Sequence, residues 1–377
     1  MSRTSASTAT VDLSAYAHNL AIVRKYISQR PDICAVVKAN AYGHGALPMA
    51  EKAIACGIRS LAVATVDEGI ELRTSGIDVP LYIMVPPGKE SLAAAAEFRL
   101  TFFLADVDTA EALGEIASRA NRVIPIHCMI DTGFSRQGFP FDQALHDLQY
   151  LTRISHIDIE GIATHFPVAD KVEDPFTYNQ IKQFRQLLKQ LDKSGIPYER
   201  AHAANSAAII NYPSSTLDMV RPGLMTYGIW PVETPPQQQI LRPVLRWETH
   251  VIQVKALEPG SSIGYGRTYT TAHRMRAAIL PVGYADGYKH SLSNKGVVLI
   301  RGQRCPVRGS VCMDQVVVDV SHLDRVEVGD IVTLIGADGG ERITAEELAK
   351  IGGTIPYEIV TGISARVPRV YVDEAGT

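Results

Sequence analysis

A lysine closes the apolar run "CAVVK" (34–38), and the loop "ANAYGHG" follows at once. An amine held in partly apolar surroundings gives up its proton readily and can condense with an aldehyde to a Schiff base. Other polar residues sit at comparable places, where a strand-like run gives way to a loop. Arg136 lies in "DTGFSRQG", His165 in "ATHF", and Ser206 in "HAANSA", where a helix begins. Arg221 lies in "VRPG", with Gly223 at another helix start. A serine hydroxyl and a glycine amide at helix starts can cradle a phosphate. Taken singly, each residue has a duller reading. Lys38 could reach to solvent, Ser206 could be an N-cap, Arg221 a surface ion pair and His165 a satisfied core histidine. Gathered in one place they combine a phosphate cradle, an aldehyde-binding lysine and a polar partner for a ring nitrogen. That combination points to pyridoxal 5′-phosphate (PLP).

Whether they gather depends on the elements that carry them. Eight short apolar runs have strand length: 34–38, 60–64 "SLAVA", 80–85 "PLYIMV", 100–104 "LTFFL", 123–129 "VIPIHCM", 158–164 "DIEGIAT", 199–203 "ERAHA" and 217–220 "LDMV". Helical patterns separate them. Residues 174–195 keep Phe176, Ile181, Phe184, Leu187, Leu188 and Leu191 at helical spacing until Gly195. A first helix is expected over 12–30, with Asp12 as its N-cap. Eight alternating strands and helices predict a parallel (β/α)8 barrel, whose strand C-termini form one active face. A doubly wound open sheet is the alternative. At "PVETPPQQQI" (231–240) the texture changes, and the strand-like runs beyond it are separated by Gly-containing turns. Thr344, with Glu347 three residues on, has the form of a capping box. The expected organisation is a tail over 1–11, a barrel over 12–237 and a mainly-β domain over 238–377.

Composition narrows the setting. The chain has 377 residues, 46% hydrophobic and 20% charged, with a net charge of −3. This near-balance gives no basic surface for nucleic acid or membrane. The first ten residues, "MSRTSASTAT", lack the apolar core of a signal peptide. The five cysteines (34, 56, 128, 305 and 312) have no CxxC spacing, which reads as reduced thiols in a cytoplasmic protein with no metal site.

Over essentially its full length the chain resembles the alanine racemases, fold-type-III PLP enzymes. The resemblance rests on "AVVKANAYGHG", "HAANSA", "VRPGLMTYG", "SIGYGRTYT", "PVGYADGY", "CMDQ" and "TIPYEIVTGISARVPR", in that order. It implies that Lys38 holds PLP, that Tyr42, Ser206, Gly223 and Tyr357 hold the phosphate, and that Arg221 faces the pyridine nitrogen. It also implies Arg136 at the ring phenolate, Tyr265 as the second acid/base and the Met313 backbone at the substrate carboxylate. His165 would lie between Arg221 and Tyr265. Tyr284, Asp314, Asp170 and His202 fit its supporting or entrance positions. A homodimer is implied, with Tyr265 and Met313 acting on the other subunit's barrel. Racemisation needs a base on each face of Cα, and Lys38 and Tyr265 supply the pair. Arginine at the ring nitrogen leaves that nitrogen unprotonated, which suits proton shuttling and disfavours decarboxylation.

Four positions depart from the family pattern. Met129 stands where a carbamylated lysine commonly steadies the arginine at 136, so either a bound anion or another acid replaces it or Arg136 is held less firmly, with a substitute anion favoured. Ser310 and His290 stand where gate arginines are frequent, which makes the entrance less positive and raises serine or larger amino acids as substrates. Ala365 replaces a frequent tyrosine. The implied activity is alanine racemisation supplying D-alanine for peptidoglycan. The alternatives are a racemase of another or broader amino-acid range and a PLP-binding homologue that racemises weakly.

Overall fold

A computed structural model describes residues 5–28, 31–233 and 240–373. The expected domain boundary at 237/238, the first four tail residues and the last two residues of the expected first helix lie outside these ranges. The described chain forms two compact units. One takes residues 17–41 and 46–241, the other residues 1–16, 42–45 and 242–377.

Strand β1 (Ser7–Asp12) belongs to the second unit. The barrel strands follow: β2 (Asp32–Val36), β3 (Ser60–Val63), β4 (Leu81–Ile83), β5 (Thr101–Leu104) and β6 (Ile124–Asp131). After a two-residue strand, β7 (Phe139–Pro140), come β8 (Ile157–Ala163), β9 (Arg200–His202) and β10 (Met219–Val220). The pairing order β5-β4-β3-β2-β10-β9-β8-β6 is closed by β5 against β6. Every pairing in this ring is parallel. All eight expected strands are therefore present, and closure rules out the open sheet.

The helix expected within 174–195 uses its apolar face except at Phe176, which is exposed. Phe176–Lys193 buries Ile181, Phe184, Leu187, Leu188 and Leu191. The first helix, Leu13–Tyr26, opens on Asp12, whose carboxylate accepts from the Ala15 amide at 2.8 Å. No helix among the described residues is long and apolar enough to cross a membrane.

The second unit is mainly β. Its main sheet runs β17 (Gln303–Pro306), β16 (Val297–Ile300), β19 (Ile331–Asp338), β11 (Leu245–His250), β1 and β21 (Arg369–Val372), with β20 (Glu341–Ile343) on β19. A second sheet runs β12 (Gln253–Leu257), β15 (Met275–Leu280) and β18 (Val316–Asp319), and β13 (Ser262–Ile263) pairs with β14 (Tyr269–Thr270). Thr344 caps the helix Ala345–Gly352 by accepting from the Glu347 amide at 3.1 Å. The segment read as a tail corrects the sequence view. In "STATVD" alternate residues are buried, Ala9 and Val11 completely, and the strand pairs with β11 and β21. Threonine and valine suit a half-buried strand, but small polar residues mask the two-residue period.

Candidate active site

Lys38 lies two residues beyond the end of β2, half-buried. The chain then does something uncommon for L-residues. Ala39, Asn40, Ala41 and Tyr42 all have φ between 52° and 54°, a left-handed turn built without glycine. Such a conformation costs about 1–2 kcal/mol per residue, so neighbours must hold it. The Ala39 amide donates to Glu68 Oε1 at 2.7 Å, the Asn40 side chain accepts from the Ala46 amide at 2.7 Å, and the Ala41 amide donates to the Val37 carbonyl at 2.8 Å. Burial and then the Arg136 charge push the Lys38 amine below its ordinary pKa, with Glu68 opposing them and Arg221 adding to them.

Arg221 follows β10 and is buried. Its Nη2 donates to the Thr164 carbonyl at 2.7 Å and the Ala203 carbonyl at 3.2 Å, and lies 3.5 Å from His165 Nδ1. Its Nη1 is bonded to His202 Nδ1. Its Nε is buried without a hydrogen-bond partner among the described residues. Burial lowers the guanidinium to about 10, which leaves it charged at neutral pH. Burial first, then Arg221, Arg136 and Lys38, hold His165 well below the usual histidine range, so it is neutral. Nearby, the amides of Gly223 and Met225 converge on Ser206 Oγ at 3.0 and 3.4 Å.

Arg136 is exposed, and its guanidinium rests over the Phe134 ring at 4.2 Å. Phe134 in turn packs against His165, centroids 5.5 Å apart. The turn before it is held by Asp131, whose Oδ1 accepts from the amides of Gly133 and Ser135 at 2.8 and 3.1 Å. Met129 is buried, and among the described residues no ion pair forms on Arg136. Thus no acid of this unit takes the role of the missing carbamate. The aromatic ring carries the arginine by a cation–π contact.

Of the supporting or entrance positions that the sequence reading offered for His202, the structure is compatible with the supporting one. His202 is fully buried between Arg221 and His127, inside the barrel rather than at an entrance. The polar contacts on both ring nitrogens explain how a histidine is tolerated there. Asp170 is exposed on the loop after β8.

The second unit groups the remaining candidates. Tyr42 and Tyr357 pack with ring centroids 6.0 Å apart. Gly43, at φ 83°, allows this approach: a Cβ there would lie 2.2 Å from the Val360 carbonyl oxygen. Tyr265 is 78% exposed on a short 3-10 turn between Gly264 and Thr268. Met313 is also exposed, and its carbonyl accepts from the Ala285 amide at 3.0 Å. The next residue, Asp314, pairs with Arg366 at 2.9 Å. Tyr284 is half-exposed, edge-on to His290.

These residues fit PLP. A buried donor with no protein acceptor, Arg221 Nε, suits an unprotonated pyridine nitrogen. The converging amides beside Ser206 suit a phosphate, and a half-buried lysine with a lowered pKa suits an aldehyde.

The family comparisons agree with this chemistry. Residues 11–231 match the model for alanine racemase, N-terminal domain, and residues 244–371 the model for alanine racemase, C-terminal domain. The chain is 41% identical over 368 residues to an alanine racemase of Halothermothrix orenii, covering 98% of this chain and 97% of that one. It superposes on an alanine racemase of Clostridium difficile 630 with a TM-score of 0.93 at 35% identity, over 98% of this chain and 97% of that one. An alanine racemase from Bartonella henselae with covalently bound pyridoxal phosphate gives 0.89 at 28% identity, over 97% and 99%.

Proposed function

This chain belongs to the alanine racemase family, and from that premise we propose that it interconverts L- and D-alanine with PLP as its cofactor. The observation that carries the reading is the pairing of half-buried Lys38 with Arg221, whose buried Nε lacks a protein acceptor. PLP, when bound, withdraws electrons from the Cα–H bond of an amino acid. Lys38 would hold it, with Tyr42, Ser206, Gly223 and Tyr357 on the phosphate, Arg221 on the ring nitrogen and Arg136 on the phenolate.

The chain's own groups then move one proton. Lys38 Nζ takes it from, or returns it to, one face of Cα, and Tyr265 serves the opposite face. Neutral His165, beside Arg221, would steady the tyrosine. Arg221 keeps its own proton at neutral pH, so the ring nitrogen stays unprotonated and side reactions stay few. The Met313 backbone would meet the substrate carboxylate, with Asp314 and Tyr284 supporting that loop and Asp170 at the entrance.

The reading extends to a homodimer in which the β unit of one subunit, residues 238–377, brings Tyr265 and Met313 to the other's barrel, residues 12–237. The exposure of both residues supports this. It also places the enzyme in the cytoplasm, supplying D-alanine for peptidoglycan, and leaves Arg136 open to a bound anion in place of the missing carbamate. Ser310 and His290 at gate positions favour a second reading, turnover of serine or larger amino acids beside alanine.

The test is a racemisation assay on the PLP-loaded protein with L-alanine, L-serine and larger amino acids. Alanine turnover that disappears in Lys38→Ala and falls strongly in Tyr265→Phe is expected. No turnover on any substrate with PLP visibly bound would overturn the assignment.

A further inference from the structure

The interior of a (β/α)8 barrel is ordinarily filled by branched apolar side chains. Here a file of polar groups runs through it. Arg221 Nη1 bonds His202 Nδ1, and His202 Nε2 lies 2.7 Å from His127 Nδ1. His127 Nε2 stands 3.5 Å from Glu160 Oε1, an ion-pair contact, and is buried with no hydrogen bond formed among the described residues. Arg221, His202 and His127 are buried to 2% exposure or less, and Glu160 to 16%. Tyr82 donates to the same Glu160 oxygen at 3.1 Å, and Arg200 Nε lies 3.5 Å away. Arg200 opens β9 and reaches toward Asp32, which opens β2, so the file ends near the N-terminal ends of the strands.

The barrel is shaped around this file. Phe103 stacks on His127 at 5.3 Å and 12°, and Tyr82 packs against the same ring, tilted, at 4.5 Å. Opposite His127 on β8 the residue is Gly161, where a Cβ would lie 2.6 Å from His127 Nδ1.

Hydrogen bonding fixes the direction of the file. Arginine can only donate, so His202 Nδ1 must accept and its proton sits on Nε2. That proton requires a lone pair on His127 Nδ1, which places the His127 proton on Nε2, facing Glu160. A carboxylate only accepts, so Glu160 closes the chain consistently. Every link depends on the one below it.

We propose that Glu160 is a positioning residue for Arg221, acting through His127 and His202. With the carboxylate in place, both imidazoles hold one tautomer, Arg221 Nη1 is anchored and Nε is left aimed for the ring nitrogen. Without it His127 can turn its proton toward His202, which meets Arg221 with a donor against a donor. The functional half of this inference rests on the racemase reading; the tautomer half does not.

Imidazole nitrogen NMR on the cofactor-free protein reads the tautomers directly. Neutral Nε2–H forms are expected for both His127 and His202 near neutral pH, and an Nδ1–H form of His202 overturns the proposal. In the PLP-loaded protein, Glu160→Met should lower kcat about tenfold, as loss of an orienting partner does elsewhere. KM should stay within about twofold, the cofactor absorption should shift, and more turnovers should end in release of keto acid. Tyr82→Phe, which removes another contact of Glu160, should leave the tautomers and the cofactor spectrum unchanged. Glu160→Gln retains an acceptor oxygen and should recover most of the activity. A Glu160→Met protein with wild-type kinetics and spectrum refutes the role. Should Glu160→Met fail to fold, Glu160→Gln and the wild-type tautomers still decide. Expected tautomers in a protein that turns over no amino acid would fail the racemase reading while sparing the file.

Discussion

Ser310 donates its hydroxyl to the carbonyl of Tyr265 at 2.9 Å. Its Oγ also lies 3.2 Å from Thr268 Oγ1, which accepts from Asn294 Nδ2 at 3.1 Å. Ser310 is therefore a clasp on the turn that carries Tyr265, the proposed second base. Ser310→Ala removes a bond worth about 1 kcal/mol, so racemisation should slow about fivefold. In the proposed mechanism Tyr265 serves one face of Cα, so the Cα-deuterium isotope effect should rise for one enantiomer and hold for the other. An equal change for both would detach Ser310 from the base.

Lys38 gives a pH dependence of known sign. Burial and Arg136 lower its pKa below the ordinary 10.5. Below the folded-state pKa both folded and unfolded chains carry the proton, and the folded state bears the full cost. Between that pKa and 10.5 only the unfolded chain carries it, so the cofactor-free protein gains stability as pH rises through this window. The same deprotonation makes the amine nucleophilic. The rate of PLP uptake by cofactor-free protein should thus rise with a midpoint below 10.5, and Arg136→Ala should move that midpoint upward. A midpoint at or above 10.5 would contradict the burial argument.

Gly161→Ala tests the fit of the barrel interior. The new methyl would meet the His127 ring at 2.6 to 2.7 Å, and the rings of Phe103 and Tyr82 limit its retreat. Overpacking of this kind costs about 1–3 kcal/mol, measurable by urea unfolding. Gly340→Ala, with nothing within 4 Å of the added Cβ, is the control and should be near neutral.

Arg366 joins Asp314 at 2.9 Å and Asp286 at 3.5 Å, and Asp286 accepts from the Gly283 amide at 2.9 Å. Arg366→Ala should loosen the loop that carries Met313. Its pairing with Asp314 is half-exposed and worth at most about 1 kcal/mol, so KM for alanine should rise about threefold. A fall in kcat with unchanged KM would place Arg366 elsewhere in the cycle.

The barrel was legible because its strands are short apolar runs with helical patterns between them, and β2 to β6 and β8 to β10 fall on the expected runs. Several features escaped for physical reasons. Strand β1 hides its period behind threonines. The resemblance put His202 among supporting or entrance positions without saying which, and only the contacts with His127 and Arg221 show that it lies inside the barrel. The signal for that file was present: a lone histidine within "VIPIHCM" and a glycine within "DIEGIAT", one filling what the other vacates. The left-handed turn after Lys38 left no mark, since alanine and tyrosine ordinarily avoid that conformation.

That turn has a stereochemical consequence. A residue of the opposite hand would occupy the positions of Ala39 and Ala41 without steric penalty, because their backbone angles are the mirror image of an ordinary helix. A chain made by chemical ligation with D-alanine at either place should unfold at a higher temperature, with Lys38 unmoved. The segment beside the lysine of an enzyme proposed to invert alanine is, in its geometry, already written for the inverted product.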